Sequence, residues 1–165
     1  MDATTLQILK ILQDDARTPN AEIARRVGLA PSAVHERVRK LEERGIVRGY
    51  TARLDPRSLG LGLLAFVFVR AEERVGSNDT AEHLASIPEV QEVHHIAGED
   101  CFLVKVRAPD TETLGILLRD RIGALPTVRS TRTTVVLRTV KEDPALPTGA
   151  PTDEAPESEA VSADA

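Results

Sequence analysis

The chain has 165 residues, 41 % hydrophobic and 28 % charged, the balance of a globular protein of one or two small domains. No apolar run approaches the ~20 residues of a membrane span. The opening MDATTLQILK has neither the basic nor the apolar region of a secretory signal, so the expected location is the cytoplasm, with no membrane partner. Cys101 is the single cysteine, which excludes an intrachain disulfide framework and a multi-cysteine metal knuckle.

The net charge of −5 argues against nucleic acid until it is divided along the chain. From Glu142 onward there are seven acids and no Lys or Arg, and removing them leaves 21 − 19 = +2. Residues 1–57 hold eleven Lys/Arg and eight Asp/Glu (+3), and residues 58–141 hold ten and eleven (−1). The positive excess sits at the front.

The front is helical by its spacing. Leu6, Ile8, Leu9 and Leu12 recur at helical intervals. Thr18-Pro19 then reads as the cap and first position of a second helix, with Ile23, Ala24 and Val27 inward and a stop at Gly28. A third helix starts at Pro31, stacks Val34, Val38 and Leu41, and ends near Gly45. Ile46–Leu54 reads as an extended wing or linker strand, with a joint at Gly60-Leu61-Gly62. Leu63–Val69 is a nearly all-apolar strand. Helix Thr80–Ser86, strand Val90–Ile96, a Gly98-Glu99-Asp100 turn, strand Cys101–Arg107, helix Thr111–Ile122 and strand Val128–Val140 follow. The order is β-α-β-β-α-β. Ile87-Pro88-Glu89-Val90 and Leu125-Pro126-Thr127-Val128 echo each other where a helix hands over to a strand. Two such halves are what a ferredoxin-like fold requires. Its four-stranded sheet would leave one face bare, and a second copy covering it is the economical solution. The tail from Glu142 carries no periodicity and reads as disordered.

The expected fold class is therefore α+β: a winged helix-turn-helix over 1–54, a linker over 55–62, a ferredoxin-like effector-binding and dimerisation domain over 63–141, and an acidic tail over 142–165. Ala24, Gly28 and Val34 supply the small residue, the left-handed turn and the buried aliphatic that two crossed helices need. Around the third helix lie Ser32, His35, Glu36, Arg37, Arg39, Lys40 and Arg44, and Arg48 and Arg53 follow. Short side chains near such a helix's start reach base edges and longer cations reach phosphates. Ser32, Ala33, His35, Glu36 and Arg37 are expected nearest the bases. Arg39, Lys40, Arg44 and Arg48 are expected at phosphates or in intramolecular ion pairs. Double-stranded DNA is the expected macromolecular partner.

The stretch from ILQDDARTPNAEIARRVGLAPSAVHERVRKLEERGIVRGY through LDPRSLGL resembles the DNA-binding half of the Lrp/AsnC (leucine-responsive, feast/famine) regulators. IPEVQEVHHIAGEDCFLVKV and LPTVRSTRTTVVLRTVK resemble that family's effector domain. The resemblance covers about residues 6–141. It implies a homodimer joined through the sheets, higher assemblies of dimers, and an amino acid or related small molecule as effector, with no other cofactor. It places the effector at Gly98, Glu99, Asp100, Cys101 and Thr134. Three departures stand out. Ala30 replaces the usual Ser before the recognition helix, the loop reads Gly98-Glu99-Asp100-Cys101 in place of Gly-x-aromatic-Asp, and the acidic tail lies outside the family core.

No catalytic constellation is expected. A siroheme-decarboxylase-like enzyme would share the architecture and use His94 or His95, but the basic third helix argues against it. Adjacent strand residues point to opposite faces, so His94 and His95 are not expected to chelate one metal. Cys101 reads as a small buried hydrophobe.

Overall fold

The computed structural model describes residues 1–72 and 78–149, which divide into two compact units: Met1–Ala52 with the segment from Glu142, and Arg53–Lys141. In the first unit α1 (Ala3–Asp14), α2 (Asn20–Val27) and α3 (Pro31–Glu43) enclose Ile8, Ile23, Ala24, Val34 and Val38. Asp2 caps α1, its carboxylate accepting from the Thr5 N–H at 2.7 Å. Thr18 does not cap α2, against expectation. The cap position is Pro19, and the Thr18 hydroxyl turns back to the Asp15 carbonyl at 2.8 Å. The Asp15 side chain already closes this corner on the Arg17 N–H at 2.8 Å, so the hydroxyl has a local partner one residue too early.

The α2–α3 corner matches its reading. Gly28 sits at φ 70, and the Leu29 N–H donates to the Ala24 carbonyl at 3.0 Å. Ala30 precedes α3 with no side-chain cap bond, and Pro31 pre-sets the first turn. Residues 46–54 do not form the expected strand. The Ile46 and Val47 N–H groups both fold back onto the Leu41 carbonyl, and among the described residues no strand lies alongside to build a ladder. Of the expected tail, residues 142–149 carry no helix or strand, and residues 150–165 lie outside the described residues. The Leu146 backbone makes a two-point contact with the Gln13 amide, at 2.7 and 3.0 Å.

In the second unit Asp55 holds a turn, accepting from the Arg57 and Ser58 N–H groups at 3.2 and 3.1 Å. Then come β1 (Leu63–Ala71), α4 (Asp79–Ala85), β2 (Val90–His95), β3 (Phe102–Ala108), α5 (Thr111–Ile116) and β4 (Val128–Val135). The sheet order is β2-β3-β1-β4 with every pair antiparallel, the ferredoxin-like arrangement. Alternate residues Ala65, Val67 and Val69 of β1 and Phe102, Val104, Val106 and Ala108 of β3 pack with Leu84, Leu114, Leu117 and Ile122 from the helices. β4 stops at Val135, short of the expected Val140. The Val136 N–H still reaches the Leu64 carbonyl, but β1 begins at Leu63, so no ladder remains beyond it.

The expected helix through Ile122 is present, but its second half, Leu117–Ile122, is π-helical. A regular turn would bring Arg121 beneath Leu117, whereas the wider turn brings Ile122, which is fully buried. Gly123 closes this turn, donating to the Leu118 carbonyl at 2.8 Å. A Cβ at Gly123 would stand 2.8 Å from that oxygen, and backbone cannot step aside cheaply. Gly123→Ala is expected to cost about 1–3 kcal/mol by overpacking. That lowers the melting temperature of this unit by at least about 4 °C in calorimetry.

Candidate DNA-binding face and ligand-binding loop

The core line Val34–Val38–Leu41 of α3 is buried, and helical geometry therefore turns Ser32, Glu36, Arg39, Lys40 and Glu43 outward. His35 is exposed beside α2, its Nδ1 at 3.4 Å from the Asn20 amide nitrogen, and Ala33 is half-buried. Arg37, expected near bases, points instead to the start of α1. Its Nη1 donates to Asp2 at 2.8 Å and to the Thr5 hydroxyl at 2.9 Å. Together Arg37 and Thr5 hold the Asp2 carboxyl well below the usual carboxylate range. Arg37 thus braces α3 against α1, a long-range pairing that helical spacing could not reveal.

The remaining cations of the face fall into two groups. Arg39 forks onto Glu36 at 2.7 and 3.0 Å and also pairs with Glu43, and Lys40 approaches Glu36 at 3.4 Å. The Arg39 hydrogen bond, with a smaller share from Lys40, lowers Glu36 to about 2. Because that pKa is depressed, the favourable contribution of these pairs is complete above the ordinary value of 4.5. It fades only as pH falls through about 2, so it is constant between pH 5 and 8. Arg44 and Arg48 are exposed, with no ion pair among the described residues. Tyr50 donates to Glu42 at 2.8 Å, tying the segment beyond α3 back to the helix. Partial burial and that carboxylate push the phenol up to about 12.

Glu36→Gln is expected to loosen Arg39 and free Lys40. Non-specific DNA affinity should rise several-fold at low salt, with a log–log salt slope steeper by up to about 0.9 per freed cation. Fluorescence anisotropy across a salt series checks this, and an unchanged slope would show that the face does not meet phosphate.

In the second unit the expected loop lies between β2 and β3. Gly98 is at φ 142, outside the range of ordinary side chains. Asp100 accepts from Arg132 on β4 at 2.9 Å, and the Arg132 guanidinium lies 4.0 Å above the Phe68 ring. Cys101 is half-buried and packs against the core as expected, and its thiol also donates to the Ala71 carbonyl at 3.1 Å. Glu99 is exposed. Thr134 lies opposite Phe66, on the sheet face away from the helices. That face carries Phe66 and Phe68, both half-buried, and beside them Glu92 receives Lys105 at 3.0 Å and His94 at 3.1 Å. His95 turns the other way, its ring 5.1 Å from Phe102. The two histidines thus diverge as strand alternation requires, and no metal-holding group occurs among the described residues.

A helix-turn-helix closed by a left-handed glycine, with its third helix turned to solvent, is the arrangement that enters the major groove. The chain is a DNA-binding transcription regulator and not an enzyme. Residues 1–48 match a winged helix-turn-helix DNA-binding model, and residues 64–146 match the Lrp/AsnC ligand-binding domain. The chain belongs to the Lrp/AsnC family. It is 42 % identical over 147 residues to the HTH-type transcriptional regulator FL11 of Pyrococcus horikoshii, covering 89 % of this chain and 96 % of that one. It is 39 % identical over 146 residues to the leucine-responsive regulatory protein of Escherichia coli, covering 86 % and 88 %. The solved complex of the transcriptional regulator NMB0573 with L-Met, from Neisseria meningitidis, superposes with a TM-score of 0.81 at 32 % identity. It covers 89 % of this chain and 96 % of that one.

Proposed function

We propose that this regulator acts in the cytoplasm as a homodimer, and as assemblies of dimers, on pseudo-palindromic DNA, its assembly or affinity biased by an amino acid or related small molecule. Ser32, Ala33, His35 and Glu36 read base edges, Arg39, Lys40, Arg44 and Arg48 reach phosphates, and Arg37 holds the helix in place for them. The functional division is 1–54 for DNA, 55–62 as linker, 63–141 for effector and dimer, and 142–165 as tail. The effector lies against Gly98, Glu99, Asp100, Cys101 and Thr134; that an amino acid is the effector is supported by the solved L-Met complex of the Neisseria relative. A ligand shifts such an equilibrium only through differential affinity for the two states.

The observation that carries the dimer is the sheet face away from the helices, where two phenylalanines lie half-buried within a charged surround. Phe66→Glu is expected to raise the dimer dissociation constant by at least about tenfold, since it loses an aromatic anchor and introduces a charge. Sedimentation velocity tests this. A variant that stays dimeric at the wild-type concentration range would place the interface elsewhere.

A further inference from the structure

β1 and β4 lose register at their far end. Arg70 faces Ser130 but Ala71 faces Val128, so Arg129 is an extra residue in the ladder. In a regular pairing Arg129 would lie on the opposite sheet face from Arg70 and Ser130. The bulge instead brings all three to one cleft of about 410 Å³, completed by Ala71 and Glu72. The cleft opens to solvent, with the side chains of both Arg129 and Glu72 largely exposed.

The lining is unusual in its charge. Two guanidiniums share the cleft with one carboxylate, and Glu72 is already engaged, accepting from Arg129 Nε at 2.7 Å. The Arg129 side chain remains 59 % exposed, leaving its outer nitrogens accessible. Arg70 is exposed, and its side chain has no hydrogen bond or ion pair among the described residues. The other arginine of β4, Arg132, is held by Asp100 and Phe68. Like charges this close gain nothing for folding. They do present two planar donor forks, each matched to a carboxylate, with the Ser130 hydroxyl between them.

We propose that this cleft binds a small dicarboxylate, one carboxylate on Arg70 and the other on the outer nitrogens of Arg129. It rests on the reading that this unit takes small-molecule ligands, and adds an anionic ligand at this cleft to the effector placed at residues 98–101 and Thr134. A neutral amino acid would leave one guanidinium unmatched and would find its ammonium facing two cations.

The test is calorimetric titration of the full chain with succinate, L-glutamate and L-methionine, on wild type, Arg70→Gln and Arg129→Gln. The expected result is binding of succinate or L-glutamate, weakened about tenfold or more in each variant, with L-methionine weaker. Arg70→Gln should melt at the wild-type temperature, because the Arg70 side chain makes no bond among the described residues, so its loss of binding would not reflect unfolding. Preferred binding of L-methionine, unaffected by Arg70→Gln, would overturn the dicarboxylate assignment while leaving the effector reading intact. Dicarboxylate binding that ignores both substitutions would place the ligand elsewhere and overturn the assignment. No heat with any of the three probes would overturn the dicarboxylate assignment alone, since the effector reading does not name which small molecule binds.

Discussion

Ile23→Ala is expected to abolish DNA binding while leaving the four-stranded unit folded. Ile23 is fully buried among Ile8, Ala24, Val34 and Val38, which with it make up the buried core of the first unit. Truncating such a side chain costs about 2–5 kcal/mol, through lost burial and the cavity left behind. The 52 residues Met1–Ala52 support a stability on the order of 3–8 kcal/mol at typical per-residue values. One substitution therefore removes from about a quarter of it to all of it. The second unit has its own core around Val67, Val104 and Leu117 and shares none of these residues. Circular dichroism should show loss of helix with the sheet signal retained, and gel shift should show no specific complex. Retained DNA affinity would mean that the reading surface does not depend on this core.

The second large effect is electrostatic. Arg44 and Arg48 are exposed and carry no ion pair among the described residues, so DNA gains them without first breaking an internal contact. Arg39 and Lys40 must first be withdrawn from Glu36 and Glu43. The double variant Arg44→Ala, Arg48→Ala should reduce the magnitude of the log–log salt slope by about 1.8 for each chain bound, two phosphate contacts at about 0.9 each. At 0.1 M salt that corresponds to an affinity loss well beyond tenfold. The loss should be similar for specific and random DNA, because phosphate contacts carry no sequence information. Anisotropy titrations at four salt concentrations measure both quantities. A slope within error of wild type would remove these residues from the interface.

Local chemistry was legible in the sequence wherever one residue settles a backbone state. Gly28 ends α2 and Pro31 opens α3 as read, because left-handed and fixed φ values leave few alternatives. The β-α-β-β-α-β order followed from changes of period and from the Ile87-Pro88 and Leu125-Pro126 echo. Features set by distant partners were not legible. Arg37 sits on the same helix as Arg39, and only the start of α1 decides that it turns inward to Asp2. Val136, Leu137 and Val140 look like strand, yet β1 begins at Leu63 and its last backbone bond to this segment is at Leu64. The π turn had a signal in the five-residue step from Leu117 to Ile122 across Arg121. The bulge that gathers Arg70 and Arg129 had none, since alternation alone separates them.

The central claim is that the exposed start of α3 reads base sequence. The most direct measurement is selection of bound DNA from a random pool, using wild type and the triple variant Ser32→Ala, His35→Ala, Glu36→Gln. The account predicts an enriched pseudo-palindromic motif for wild type. It predicts that the triple variant binds DNA through the same cations but loses or changes the preferred bases within each half-site. Enrichment of one and the same motif by both proteins would contradict it.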